Sequence, residues 1–139
     1  MKIRFVFAIL ALMLAATPLC RAQQEKEPSL EEMCEAESDR LAEMLDLDDW
    51  QVFYVDSILK HDYAGMRAEL EELQKSKVSN SSVYVEIQDR WWDRIDAAYQ
   101  KLFTPEQWTL YLKQGAAKAR QARERRREKA AAALTKKKK

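Results

Sequence analysis

The sequence predicts an all-α fold: four helices, with a long central antiparallel hairpin and a projecting basic C-terminal helix. Three observations predict it. Apolar residues recur at steps of three and four over two long stretches. Helix starts carry capping boxes, in which a small polar residue and a Glu or Gln three positions later satisfy each other's backbone amides. No run alternates apolar and polar residues as a half-buried strand would.

Ser29 with Glu32 is the first capping box, ahead of a stripe of Leu30, Met33, Leu41, Met44 and Leu45. Glu37 interrupts that stripe, so this helix is expected to pack least firmly. Asp46-Leu47 is a tight connection. Asp48 caps the second helix, which runs to about Gln74 with Val52, Val55, Leu59, Tyr63, Met66, Leu70 and Leu73 on one face. At ~1.5 Å per residue it is a rod of about 40 Å. Lys75 to Ser82 is a polar turn; its Asn80-Ser81-Ser82 fits a glycosylation sequon and, more simply, ordinary turn chemistry.

The third helix runs from about Val83 to Leu102, with Tyr84, Ile87, Trp91, Ile95, Ala98 and Leu102 in phase. Two such rods joined by a short turn make a hairpin. Leu59, Met66, Leu70, Trp91 and Ile95 are its expected seam. The fourth helix opens at Phe103-Thr104-Pro105-Glu106-Gln107, where Thr104 is the cap, Pro105 takes the first helical position and Phe103 can staple onto Trp108. Trp108, Tyr111 and Leu112 fall on its buried side. Leu47-Asp48-Asp49-Trp50-Gln51 repeats the pattern, with Leu47 placed to staple onto Val52. Gly65 and Gly115, the only glycines, lie inside predicted helices. Each costs about 1 kcal/mol against alanine, so a close approach or a bend should compensate.

Beyond Gly115 the large apolar residues stop. Ala116 to Ala133 is alanine, arginine, lysine and glutamate, a strong helix former with nothing to bury. Residues 23–109 carry 9 basic and 21 acidic side chains, whereas 110–139 carry 12 and 2. An acidic body therefore precedes a basic tail that includes Arg120, Arg123, Arg126 and Arg127. Such a tail can serve solubility, or hold anionic lipid headgroups, acidic polypeptide or its own acidic body.

The N-terminus reads as a cleavable export signal. Lys2 and Arg4 precede an apolar run of twelve, Phe5 to Ala16, too short to span a membrane. Cleavage after Ala22 leaves Gln23 first; acylation of Cys20 is the alternative, against which Leu19 is large where a small residue belongs. The expected organisation is a signal peptide over 1–22, a helical domain over 23–115 and a basic helical tail over 116–139, frayed at its end. Its location is periplasmic or secreted, and export argues against nucleic acid as the partner of the basic tail. After cleavage Cys34 is the only cysteine. It is either buried or bridged to another chain.

No nucleophile has a plausible base, so no catalytic residue is assigned. His61-Asp62 reads as a solvated helix position. Cys34, Met33, Met44, Met66 and His61 would form a soft-metal site only if folding gathered them. No metal and no cofactor are expected. Trp91 and Trp92 lie ~100° apart on one helix. Trp91 therefore takes the seam and Trp92 a boundary. Trp92, Trp50 and Tyr54 are the candidate contacts for apolar partners.

The paired motifs, Leu47-Asp48-Asp49-Trp50-Gln51 and Phe103-Thr104-Pro105-Glu106-Gln107, resemble the L-T-x-x-Q repeats of the Spy/CpxP family of small periplasmic helical chaperones. Phe103 stands where that motif has Leu, and Asp48 where it has Thr. The resemblance implies an ATP-independent chaperone, a homodimer, and unfolded or partly folded polypeptide clients. It also implies that Leu47, Asp48, Gln51, Phe103, Thr104 and Gln107 shape a cradle surface. The acidic body departs from the family's basic cradle, so the client surface is not carried over. Two other readings remain: a metal-responsive envelope sensor, and a membrane-surface or structural protein acting through its basic tail.

Overall fold

A computed structural model describes residues 28–137. The expected signal peptide with Cys20, the polar segment from Gln23 to Glu27, and Lys138-Lys139 of the expected frayed end lie outside them. The described chain is helical throughout: α1 (Leu30–Leu45), α2 (Asp49–Lys75), α3 (Ser81–Leu102), α4 (Pro105–Tyr111) and α5 (Ala117–Lys137), the last two joined by a π-helical turn over Leu112–Ala116. The segments α4, the π turn and α5 together are the expected fourth helix.

Caps set most of these boundaries. At α1, Ser29 Oγ accepts the Glu32 N–H at 3.2 Å and Glu32 Oε2 accepts the Ser29 N–H at 2.6 Å. At α3, Asn80 Oδ1 accepts the Ser82 N–H at 3.1 Å. That cap starts α3 about two residues before the apolar ladder does.

The hairpin of α2 and α3 is present, with α1 packed along the other flank of α2. The core joins Cys34, Leu41 and Leu45 of α1 to Val55 and Leu59 of α2 and to Ile95 and Tyr99 of α3. Phe103 and Tyr111 close it at the α4 end. The expectation that α1 packs least firmly is therefore wrong. Its buried stripe is Cys34, Ser38, Leu41 and Leu45, at steps of four, three and four, while Met33 is exposed. Glu37 stands beside this stripe and pairs with Arg40 at 2.6 Å.

The seam also differs from expectation. Leu59 and Ile95 are buried, but Met66, Leu70 and Trp91 are only half-buried. Trp91 lies over Gly65, where an added Cβ would stand 2.9 Å from Trp91 Cζ2. Its indole N–H donates to Glu69 Oε2 at 2.8 Å, and the Arg94 guanidinium sits 5.1 Å from the ring centre. Trp92 packs against the core, edge-on to Tyr63 at 5.7 Å. Because α3 is covered on two sides, neither ring is wholly inside or outside.

The two glycines divide the two compensations. Gly65 allows the close approach of Trp91. Gly115 makes the bend: its φ of 116° and ψ of −15° break the helical run, and a Cβ there would meet nothing within 4 Å. Conformation, not space, asks for glycine there. The bend lays the base of α5 against α3. A tail with nothing to bury is therefore a third correction, since Arg123 is 6% exposed. From Glu124 to Lys136 every residue is exposed.

Burial also shapes the alkaline behaviour. Desolvation raises the Cys34 thiol and pushes the Tyr63 phenol up to about 12. Tyr99 and Tyr111 rise further, through burial first; the negative charge of Asp96 adds to the shift of Tyr111. All four hold their protons more tightly folded than unfolded. Their contribution is complete below the unfolded values, ~8.5 for the thiol and ~10 for the phenols, and is lost as pH rises through the folded ones. The urea midpoint is thus expected to fall steadily above pH ~9. A midpoint unchanged to pH ~11 would show these rings solvated.

Candidate functional site

The two capping-box glutamines, 56 positions apart, meet side chain to side chain. Gln51 Nε2 donates to Gln107 Oε1 at 2.8 Å, and Gln107 Nε2 donates to Gln51 Oε1 at 3.1 Å. Each Oε1 also accepts the backbone N–H of its own cap, Asp48 at 3.1 Å and Thr104 at 3.0 Å. Each Nε2 also donates across the pair, Gln51 to the Leu102 carbonyl at 3.2 Å and Gln107 to the Asp46 carbonyl at 3.3 Å. The arrangement has a local two-fold pattern, since each carbonyl precedes the glutamine of its own motif by five residues. An amide offers two acceptor sites and two donors. Both glutamines use all four.

This clasp ties four helix ends together. Asp46 follows α1, Asp48 caps α2, Leu102 ends α3 and Thr104 caps α4. Helix ends leave backbone groups without partners, and the clasp supplies four of them. The aromatic contacts beside it run from Phe103 to Tyr99 (ring centres 5.0 Å apart) and from Trp108 to Tyr111 (5.4 Å). Leu47 packs against the same core.

A second constellation joins tail and body. Asp89, Asp93 and Asp96 form a ladder on α3, and Arg120, Arg123, Arg126 and Arg127 form its complement on α5. Arg126 grips Asp89 through two bonds of 2.6 and 2.7 Å. Arg123 Nε donates to Asp93 at 2.7 Å and its Nη2 to Asp96. Arg127 reaches Asp93 at 3.1 Å and Arg120 reaches Asp96 at 3.8 Å. Tyr111 completes Asp96 by donating its hydroxyl proton at 2.7 Å. Arg120 also lies over the Trp108 ring at 5.2 Å. Of the partners open to the tail, the molecule's own acidic body is thus engaged by these four arginines.

The third group is aromatic and faces solvent. Trp50 is 54% exposed, Phe53 66% and Tyr54 52%, all on the first two turns of α2. Tyr54 meets Trp50 edge-on at 6.2 Å and Phe53 at 5.6 Å. Phe53 was missed because it stands out of phase with the apolar ladder, which is itself the signal for an exposed ring. Trp92 does not join this group. It lines a separate cleft of about 530 Å³ with Met44, Tyr111 and Ala119.

The remaining candidates stay apart. His61 is exposed, with Nδ1 2.7 Å from the buried Asp62, which Arg94 approaches at 3.4 Å. Cys34 is buried and free, while Met33 is exposed. Among the described residues no three of His, Cys, Asp and Glu are grouped to hold a metal ion, and no helix is long and apolar enough to cross a membrane. Comparison with known proteins brings no match to a family model, to a curated protein or to a solved structure.

Proposed function

We propose that the protein is a non-enzymatic, ATP-independent binding protein for unfolded or partly folded polypeptides in the cell envelope, a chaperone of the Spy/CpxP kind that works as a homodimer. The observation that carries this reading is the exposed cluster of Trp50, Phe53 and Tyr54. Exposed apolar patches of this kind mark surfaces for apolar partners. The rings hold one another edge-on, so little order is lost when a client segment lands on them. Asp48 and Asp49 flank them at the start of α2, a polar rim that keeps contacts reversible. The neighbouring Gln51, locked in the clasp, fixes the helix that presents them.

The contact residues carried forward are Trp50, Tyr54 and the added Phe53; Trp92, packed on the core, is not among them. Suppression of client aggregation tests the reading. Replacing Trp50, Phe53 and Tyr54 together by serine is expected to lower suppression several-fold while the melting temperature moves by only a few degrees. Equal suppression by variant and wild type, or none by either, rules it out.

A further inference from the structure

The arginines of α5 that face α3 are committed to its aspartates. A second set of cations on the same helix is not. Lys118, Arg125, Lys129 and Lys136 are all exposed, and none forms an ion pair among the described residues. Their steps of seven, four and seven residues place them within an arc of about 40° at ~100° per residue, along a line of about 27 Å. Arg120, Arg123 and Arg127 fall on roughly the opposite side of the helix by the same count, and Arg126, paired with Asp89, about 80° round from the line.

The residue types are sorted with the faces. The inner set is all arginine, whose planar fork matches a carboxylate bidentately. Three of the four outer residues are lysine, a hydrated point charge suited to loose, exchanging contacts. The outer line carries no large apolar side chain; its neighbours include the exposed Ala132 and Ala133, while Leu134 points elsewhere around the helix.

We propose that the outer face of α5 is a docking rail for an anionic membrane surface, which it would hold by charge alone. Four cations in a line on one rigid helix can all touch a plane at once. Lys129 also borders the cleft between α5 and α3, where Asp89 and Asp93 are already paired with Arg126, Arg123 and Arg127; carboxylates farther than the Debye length, ~10 Å at 0.1 M salt, are largely screened. With no apolar wedge on the rail, the helix adsorbs to headgroups without entering the bilayer. Each cation near an anionic surface is worth a factor of about five in binding, and four together several hundredfold. This inference goes beyond client binding and does not depend on it.

The test uses the chain from Gln23 onward, which keeps every described residue. It is sedimented with phosphatidylcholine vesicles, with or without phosphatidylglycerol. Wild type is expected on the anionic vesicles at about 0.1 M salt, not on the neutral ones, and off both at about 1 M, where the Debye length is ~3 Å. Changing Lys118, Arg125, Lys129 and Lys136 to glutamine should weaken binding at least a hundredfold with the circular dichroism unchanged, and Lys129→Gln alone about fivefold. Equal binding by wild type and the fourfold variant overturns the proposal. So does capture of soluble polyglutamate in place of vesicles, which would make the rail's partner an acidic polypeptide. Aggregation suppression measured without lipid should be the same in both chains, which keeps the two readings separable.

Discussion

Replacing Arg123 by alanine is expected to remove about 3–5 kcal/mol of stability, the usual consequence of leaving one half of a buried ion pair behind. Arg123 is 6% exposed and Asp96 3%. Without the guanidinium, Asp96 keeps only the Tyr111 hydroxyl at 2.7 Å and the more distant Arg120 at 3.8 Å. Arg126→Ala is the comparison. Its two bonds to Asp89 are as short, yet its side chain is half exposed, so its loss should shift the urea midpoint only slightly. Adding Asp96→Ala to Arg123→Ala should not deepen the deficit, because the second change takes away the stranded charge. Urea unfolding of the three variants decides the matter. If Arg123→Ala costs less than ~1 kcal/mol, α5 lifts off, water reaches Asp96, and the pair is not what holds the helix down.

What could be read from the sequence was local. Ser29 with Glu32, Asp48 with Gln51, and Thr104 with Gln107 lie three residues apart, so chain geometry alone brings them together, and the helix starts followed. Gly65 and Gly115 were legible as places needing compensation, though not which one took the bend. Contacts across helices were harder to read. Asp89, Asp93, Asp96 and Arg120, Arg123, Arg126 each lie at helical steps, but in the sequence only the arginines stand out, as part of the basic tail. Pairing them needs the turn at Phe103-Thr104 together with the bend at Gly115, which bring α5 back along α3. The α1 stripe differs because Met33, apolar by type, faces solvent, while Cys34 and Ser38, small and less apolar, face the core. Trp91 and Trp92 were divided between inside and outside on the premise that α3 has one covered side; it has two.

The largest consequence of the clasp lies in the difference between glutamine and glutamate at position 51. A capping box accepts either residue, because its reciprocal bond needs only an oxygen facing the cap's N–H. The box at Ser29 already uses Glu32 in that way, and attachment to the Ser29 amide lowers the carboxyl of Glu32. The clasp is more demanding. Gln51 is 1% exposed, and its Nε2 must donate both to the Leu102 carbonyl and to Gln107 Oε1. In Gln51→Glu the same shape presents an oxygen to two other oxygens, strands a charge in a buried site and leaves the Leu102 carbonyl without its donor. The expected cost is about 3–5 kcal/mol. Glu32→Gln at the exposed box should melt close to wild type. Gln107→Glu should be costly too, but less so, since Gln107 is only half-buried. Thermal melts of these three single-atom exchanges separate the two roles. If Gln51→Glu melts with wild type, the motif glutamines act as two independent caps, and the tie between the ends of α1, α2, α3 and α4 carries no weight.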